Sequence, residues 1–203
     1  MGAKFIPGKR RKRDTIRMYS LKNRASLFVD SFLEQTFAYT LELDPAVKSY
    51  ATQSETMNLV IDGVKVHYTP DLLIQYHDGT DAYVEIHHST FTDDAYEEKF
   101  ERFQAYSAKV TSTPLHLVSE ENYPITLGKS LMLIVSNRCD KQLDEINIGL
   151  LPEECSFIQL YQYLSDSVEN PAGLIYELIA RKVYEYDPLV VLNPNALLLK
   201  AGA

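Results

Sequence analysis

Tyr68-Thr69-Pro70-Asp71-Leu72-Leu73-Ile74-Gln75-Tyr76, a turn His77-Asp78-Gly79-Thr80-Asp81, and then Ala82-Tyr83-Val84-Glu85-Ile86-His87 form the stretch that decides the fold. The two outer runs are rich in aliphatic and aromatic residues, and the polar turn between them carries a glycine. That pattern predicts two strands joined by a tight turn. Alternate side chains of a strand share a face, so Glu85 and His87 point the same way. Asp71 opens the neighbouring strand and falls near them.

Working outward, Met57 to Asp62 and Val64 to Tyr68 flank Gly63 and predict a hairpin with an Asp-Gly turn. Upstream, Val29, Leu33, Phe37 and Leu41 recur every four residues, which predicts a helix from Ser26 as N-cap to Asp44-Pro45. Glu34 lies on that helix beside its apolar stripe. Downstream, Tyr96, Phe100, Phe103 and Val110 give a helix from about Thr92 to Val110. A strand Leu115 to Val118 follows Pro114, and the apolar run 127–138 fits a helix or a strand, with helix preferred. Helix, antiparallel-type strands, helix, strand is the order of an α/β sheet with helices on its faces.

Beyond Asp140 the texture changes. Ile158, Tyr161 and Leu164 have helical spacing, and a second helix runs from Leu174 to Arg181. Val190 to Leu192 and Leu197 to Leu199 then suggest a small hairpin. Two helices and a hairpin give the outline of a winged helix, with a plain extension of the main fold as the alternative.

The chain has 203 residues, 45% of them hydrophobic and 24% charged, which excludes disordered, collagen-like and low-complexity classes. No stretch is apolar enough for a membrane span or a secretory signal, so no membrane partner is expected. Cys139 and Cys155 lack the close pairing of zinc or redox motifs and read as reduced thiols of a cytosolic protein. The net charge of −8 hides a strong asymmetry. Residues 1–24 hold nine of the 20 Lys and Arg and a single acid, giving +8 there and −16 elsewhere. Lys9, Arg10, Arg11, Lys12 and Arg13 form an unbroken cationic run suited to DNA phosphates, with salt-sensitive, sequence-independent affinity. A solvated tail is the alternative. The divisions read from the sequence are thus a basic arm (1–24), a main domain (25–139) and a C-terminal domain (140–203).

Two or three carboxylates converging at the ends of paired strands make a hard-oxygen site for Mg²⁺ or Mn²⁺. Each residue alone has a plainer reading: Asp71 as a turn acid, Glu85 as a surface strand residue. His67, His77 and His116 are too scattered for a metal site, and His88 points to the other face and reads as structural.

Pro70-Asp71…Glu85-Ile86-His87 resembles the PD-(D/E)xK nuclease motif, with histidine where lysine is usual. More specifically, Asp30-Ser31-Phe32-Leu33-Glu34, Leu41-Glu42-Leu43-Asp44-Pro45-Ala46-Val47, Tyr50-Ala51-Thr52-Gln53, Tyr68 to Leu73 and Tyr83 to Ile86 look like TnsA-type transposase endonucleases. The resemblance covers roughly residues 24–123. It implies a restriction-endonuclease-like mixed sheet flanked by helices, with a winged-helix-like C-terminal domain. It also implies a bacterial cytoplasmic protein, on the nucleoid when bound to DNA. Its function would be a metal-dependent endonuclease that cuts strands at the 5′ ends of a transposon. Its partners would be double-stranded DNA at the transposon ends, a DDE-type transposase subunit and an ATP-dependent regulator. By position, Glu34, Asp71 and Glu85 would bind Mg²⁺ or Mn²⁺ with the carbonyl of Ile86, and Gln53 would support them. His87 stands in the lysine's place as a cation or base, or as a metal ligand. Lys99, on the following helix, is an alternative source of that charge. A decayed site in a DNA-binding assembly protein, or a stand-alone restriction or repair nuclease, are the competing functions.

Overall fold

A computed structural model describes residues 15–53, 55–61 and 63–202. The chain opens with an antiparallel hairpin, β1 (Ile16–Ser20) and β2 (Ala25–Val29), in which Ile16 faces Val29 and Ser20 faces Ala25. Residues 25–29 are therefore extended, and the expected helical start at Ser26 is displaced. Strand pairing captures this segment, and the helix α1 (Phe32–Leu43) begins only where a cap is present. Ser31 supplies it: its Oγ accepts the Glu34 N–H at 3.1 Å, and the Glu34 carboxylate returns to the Asp30 N–H at 2.9 Å. Asp44, with φ −77 and ψ 114, ends the helix before Pro45.

The strands that follow are β3 (Val47–Thr52), β4 (Met57–Ile61), β5 (Val64–Tyr68), β6 (Leu72–Tyr76) and β7 (Asp81–Ile86). Next come α2 (Asp94–Tyr106), continued by one wider turn to Thr111, and β8 (Leu115–Val118). β3, β6, β7 and β8 form one sheet in that order. β6 is antiparallel to β3 and to β7, whereas β8 is parallel to β7, with α2 as the crossover between them. β4 and β5 pair as a separate hairpin around Gly63, whose φ of +79 suits a residue without a β-carbon. Residues 47–52, to which the sequence pattern assigns no strand, are an edge of the main sheet.

Three layers result. One sheet face buries Leu72, Ile74, Val84 and Ile86 against Phe37, Ala38 and Leu41 of α1. Leu131 and Val135 of α3 (Ile125–Asn137) close that layer. The other face packs Tyr83 and Leu115 against Phe100 and Phe103 of α2 and Met57 of the hairpin. β7 is buried on both faces, which is why it reads as a nearly continuous apolar run.

The C-terminal part comprises β9 (Glu154–Ser156), α4 (Phe157–Leu164), α5 (Pro171–Ala180), β10 (Tyr184–Glu185) and β11 (Leu197–Lys200). Asn170 caps α5 and Pro171 takes its first turn, so the helix starts three residues before Leu174. The expected hairpin differs. β11 pairs with both β10 and β9, while Val190 to Leu192 is not a strand, and the Leu192 N–H donates instead to Ser130 Oγ at 3.0 Å. Leu160, Leu164, Leu174, Ile175, Leu178 and Leu198 form this core, with Ile134 of α3 completing it.

Of the basic segment 1–24, residues 16–20 are thus strand β1, with Met18 and Ser20 buried. Lys9, Arg10, Arg11, Lys12 and Arg13 lie outside the described residues. No described helix is long and apolar enough to cross a membrane.

Candidate active site

β6 begins where β7 ends, because the two are antiparallel neighbours with Leu72 opposite Val84. That register brings Asp71 beside Glu85 and Ile86. Asp71 Oδ2 accepts the Ile86 backbone N–H at 2.8 Å, so the carboxylate is fastened to the next strand. Burial and the adjacent Glu85 charge push the Asp71 carboxyl up to about 7, with Glu34 and Asp30 adding to the effect. The Ile86 hydrogen bond only partly opposes this. Burial also raises Glu85 above the ordinary carboxylate range, against the stabilising effects of Tyr68, His87, Tyr96 and Lys99.

Two phenols hold Glu85. Tyr68, the last residue of β5, donates its hydroxyl to Oε2 at 2.8 Å, and Tyr96 of α2 donates to Oε1 at 3.5 Å. Both tyrosines are pushed above the usual phenol range by burial first and by Glu85 second, so they remain donors at neutral pH. Tyr68 stacks on Phe103 with ring centroids 4.5 Å apart. His87 stacks on Tyr96 at 3.9 Å with the rings 12° from coplanar. Its Nε2 is buried and has no hydrogen-bond partner among the described residues. Lys99 lies three residues beyond Tyr96 on α2, near enough for its charge to favour ionised Glu85.

Asp71, Glu85 and His87 are therefore gathered at one end of the sheet on the α2 side, with the Ile86 backbone beside them and its side chain in the α1 layer. Glu34 is placed differently. It belongs to the α1 layer, and its carboxylate is engaged by Ser31 Oγ and the Asp30 N–H, both at 2.9 Å. Among the described residues, no three His, Cys, Asp or Glu side chains are grouped closely enough to hold a metal ion together. Gln53 supports the neighbourhood through its backbone. It adopts a left-handed φ of +46, and its N–H donates to the Asp71 carbonyl at 2.8 Å. Its side chain reaches Asp30 Oδ2 at 3.4 Å. His88 accepts the Thr90 N–H and sits 3.1 Å from Glu120 on the surface, in keeping with a structural role.

Sequence spacing does not reveal the phenol clamp. It places Tyr96 on an apolar helix face, which is correct for its ring but not for its hydroxyl. Tyr68 is legible only as the end of a hairpin strand. A signal is nonetheless present: Tyr68 precedes Pro70-Asp71, and a donor is needed wherever Glu85 becomes buried.

The donors fit a hard cation. Mg²⁺ is characteristically held by one or two carboxylates, with water and substrate phosphate completing its shell. Asp71 and Glu85 supply two crowded, partly desolvated carboxylates whose mutual repulsion a divalent cation relieves. No protein-family model matches the chain, and comparison with curated proteins gives no match.

Proposed function

We propose that the chain is a Mg²⁺- or Mn²⁺-dependent DNA endonuclease, the subunit of a cut-and-paste transposase that cuts strands at the 5′ ends of the element. The observation that carries this reading is the half-buried, adjacent Asp71–Glu85 pair at the strand ends, with Asp71 pushed up to about 7 by partial burial and like charge. An arrangement that costs stability in isolation is understandable where a cation completes it. The order α1, β3, β6, β7, α2, β8, with three antiparallel strands and one parallel, also suits the restriction-endonuclease-like core that the motif implies. The two C-terminal helices with their small sheet suit a winged-helix-like DNA-binding domain.

In this reading Asp71 and Glu85, with the Ile86 carbonyl, would hold the metal, and Glu34 would add its negative charge nearby. The metal, when bound, activates water and offsets charge on the phosphate under attack. Tyr68 and Tyr96 fix the Glu85 carboxylate in one orientation. His87 is held by its stack on Tyr96, and in this reading its imidazole, with Nε2 unpartnered among the described residues, is the candidate proton carrier. Lys99 supplies a permanent positive charge on the same side. Water adds to phosphorus, the P–O ester bond breaks, and one end is left as a phosphate monoester and the other as a hydroxyl. The transposase partner and the ATP-dependent regulator follow from the motif resemblance alone.

One observation favours a second reading, a DNA-binding assembly subunit with a weakened site: His87, not lysine, follows Glu85-Ile86. A single assay separates the two, using transposon-end DNA, the transposase subunit and Mn²⁺. Asp71→Asn is expected to lose 5′-strand cutting by at least a hundredfold while 3′ cutting persists; intact 5′ cutting refutes the assignment. A large gain with His87→Lys favours the assembly reading, whereas a loss shows that histidine is fitted to its site.

A further inference from the structure

At the opposite end of α1 from Glu34, four cations line one cleft of about 570 Å³. Lys22 comes from the β1–β2 turn, Arg138 from the end of α3, and Arg181 and Lys182 from the end of α5. The two acids in the lining are already engaged. Glu42 accepts from Ser20 Oγ, from Tyr50 Oη at 2.7 Å and from the Leu21 N–H at 3.1 Å. Glu177 accepts from Arg181 Nε at 2.6 Å. Lys22 Nζ is bound to the carbonyls of Asp44 and Val47. The side chains of Arg138 and Lys182 have no hydrogen-bond or ion-pair partner among the described residues.

Cations after helix C-termini offset the helix dipole, and α1, α3 and α5 all end here. That accounts for Lys22 and Arg181, whose contacts are made within the fold. Arg138 and Lys182 also follow helix ends, but no carboxylate in the cleft is left to pair with them, in a body that carries −16 over residues 25–203. Nor are the charges at ease. Burial, aided by Arg138, holds Lys22 below the usual lysine range although Glu42 and Asp44 pull the other way. A group of cations, half-buried at Lys22 and Arg138 and exposed at Arg181 and Lys182, with its nearby carboxylates already committed, is suited to an incoming anion.

We propose that this cleft takes a backbone phosphate of duplex DNA, one α1 length from the carboxylates. The 12 residues of α1 span about 18 Å, which corresponds to about five base pairs at 3.4 Å each. A duplex lying along α1 meets positive charge in the cleft at one end and the carboxylates near the other. The spacing argument rests on the endonuclease reading; phosphate binding in the cleft does not.

The test is the anisotropy of a labelled duplex against the full chain, without divalent metal, between about 50 and 200 mM salt. The double variant Arg138→Gln/Lys182→Gln is compared with wild type, and equal melting temperatures verify its fold. With two fewer phosphates neutralised, the slope of log K against log salt becomes shallower by about 1.8. Identical slopes, or no duplex binding by wild type, overturn the proposal. So does a melting-temperature rise in millimolar inorganic phosphate that the double variant abolishes while its DNA slope is unchanged, since the cleft then serves a small anion. If Asp71→Asn keeps cutting DNA but the slope falls as expected, the endonuclease assignment fails and the cleft stands.

Discussion

Asp71 is the residue on which stability and function oppose each other. Its carboxyl lies at about 7 in the fold, against an ordinary value of 3.8. A raised acid favours the folded state at low pH, and that contribution is lost as pH rises from about 4 through about 7. Above that window the metal-free protein carries a half-buried charge beside Glu85. The rise sets a ceiling of about 4 kcal/mol on the cost. Asp71→Asn keeps an acceptor for the Ile86 N–H but cannot ionise. In chelator, wild type is therefore expected to lose several degrees more than the variant between pH 5 and pH 8 in thermal melts. Parallel losses in the two proteins contradict the burial argument. The same carboxylate must shed its proton before it binds a cation, so the change that weakens the empty fold prepares the site.

At the scale of elements, the site depends on how α1 meets α3. Gly128 faces Thr36 at this crossing, and a β-carbon there would come within 2.3 Å of the Thr36 hydroxyl oxygen. Gly128→Ala forces the helices apart and is expected to cost about 1–3 kcal/mol, read as a melting-temperature loss of several degrees. An unchanged melting temperature would mean that the crossing yields freely. What is legible in the sequence follows the same divide between local and distant causes. β6, β7, the β4–β5 hairpin, α2 and β8 can be read because turn residues and apolar spacing are local signals. The strand over residues 25–29 cannot, since Val29 continues the spacing of Leu33 and Phe37, and only its pairing with Ile16 decides the conformation. β3 is an edge strand whose partner residues lie twenty or more positions away. In the site, strand alternation places Glu85 with His87 and Asp71 beside them. The tyrosine clamp needs the packing of β5 and α2 across the sheet, which no single segment encodes.

Over the whole molecule, charge is segregated: −16 on residues 25–203 and +8 on residues 1–24. An acidic body repels nucleic acid, so long-range attraction has to come from the basic segment and local clefts. Because β1 is built into the fold, removing residues 1–14 is the informative truncation. It takes away six Lys and Arg with one acid and leaves the hairpin intact. Duplex affinity should fall and its salt slope flatten by several units, about 0.9 for each phosphate no longer neutralised, at an unchanged melting temperature. An unaltered slope rejects the role of the segment. The central claim is that Asp71 and Glu85 form a divalent-cation site completed by DNA. The most direct measurement is calorimetric titration of Mn²⁺ into the full chain mixed with duplex DNA, for wild type and for Asp71→Ala. Saturable binding by wild type that disappears in the variant is the predicted result; equal heats from both proteins contradict it.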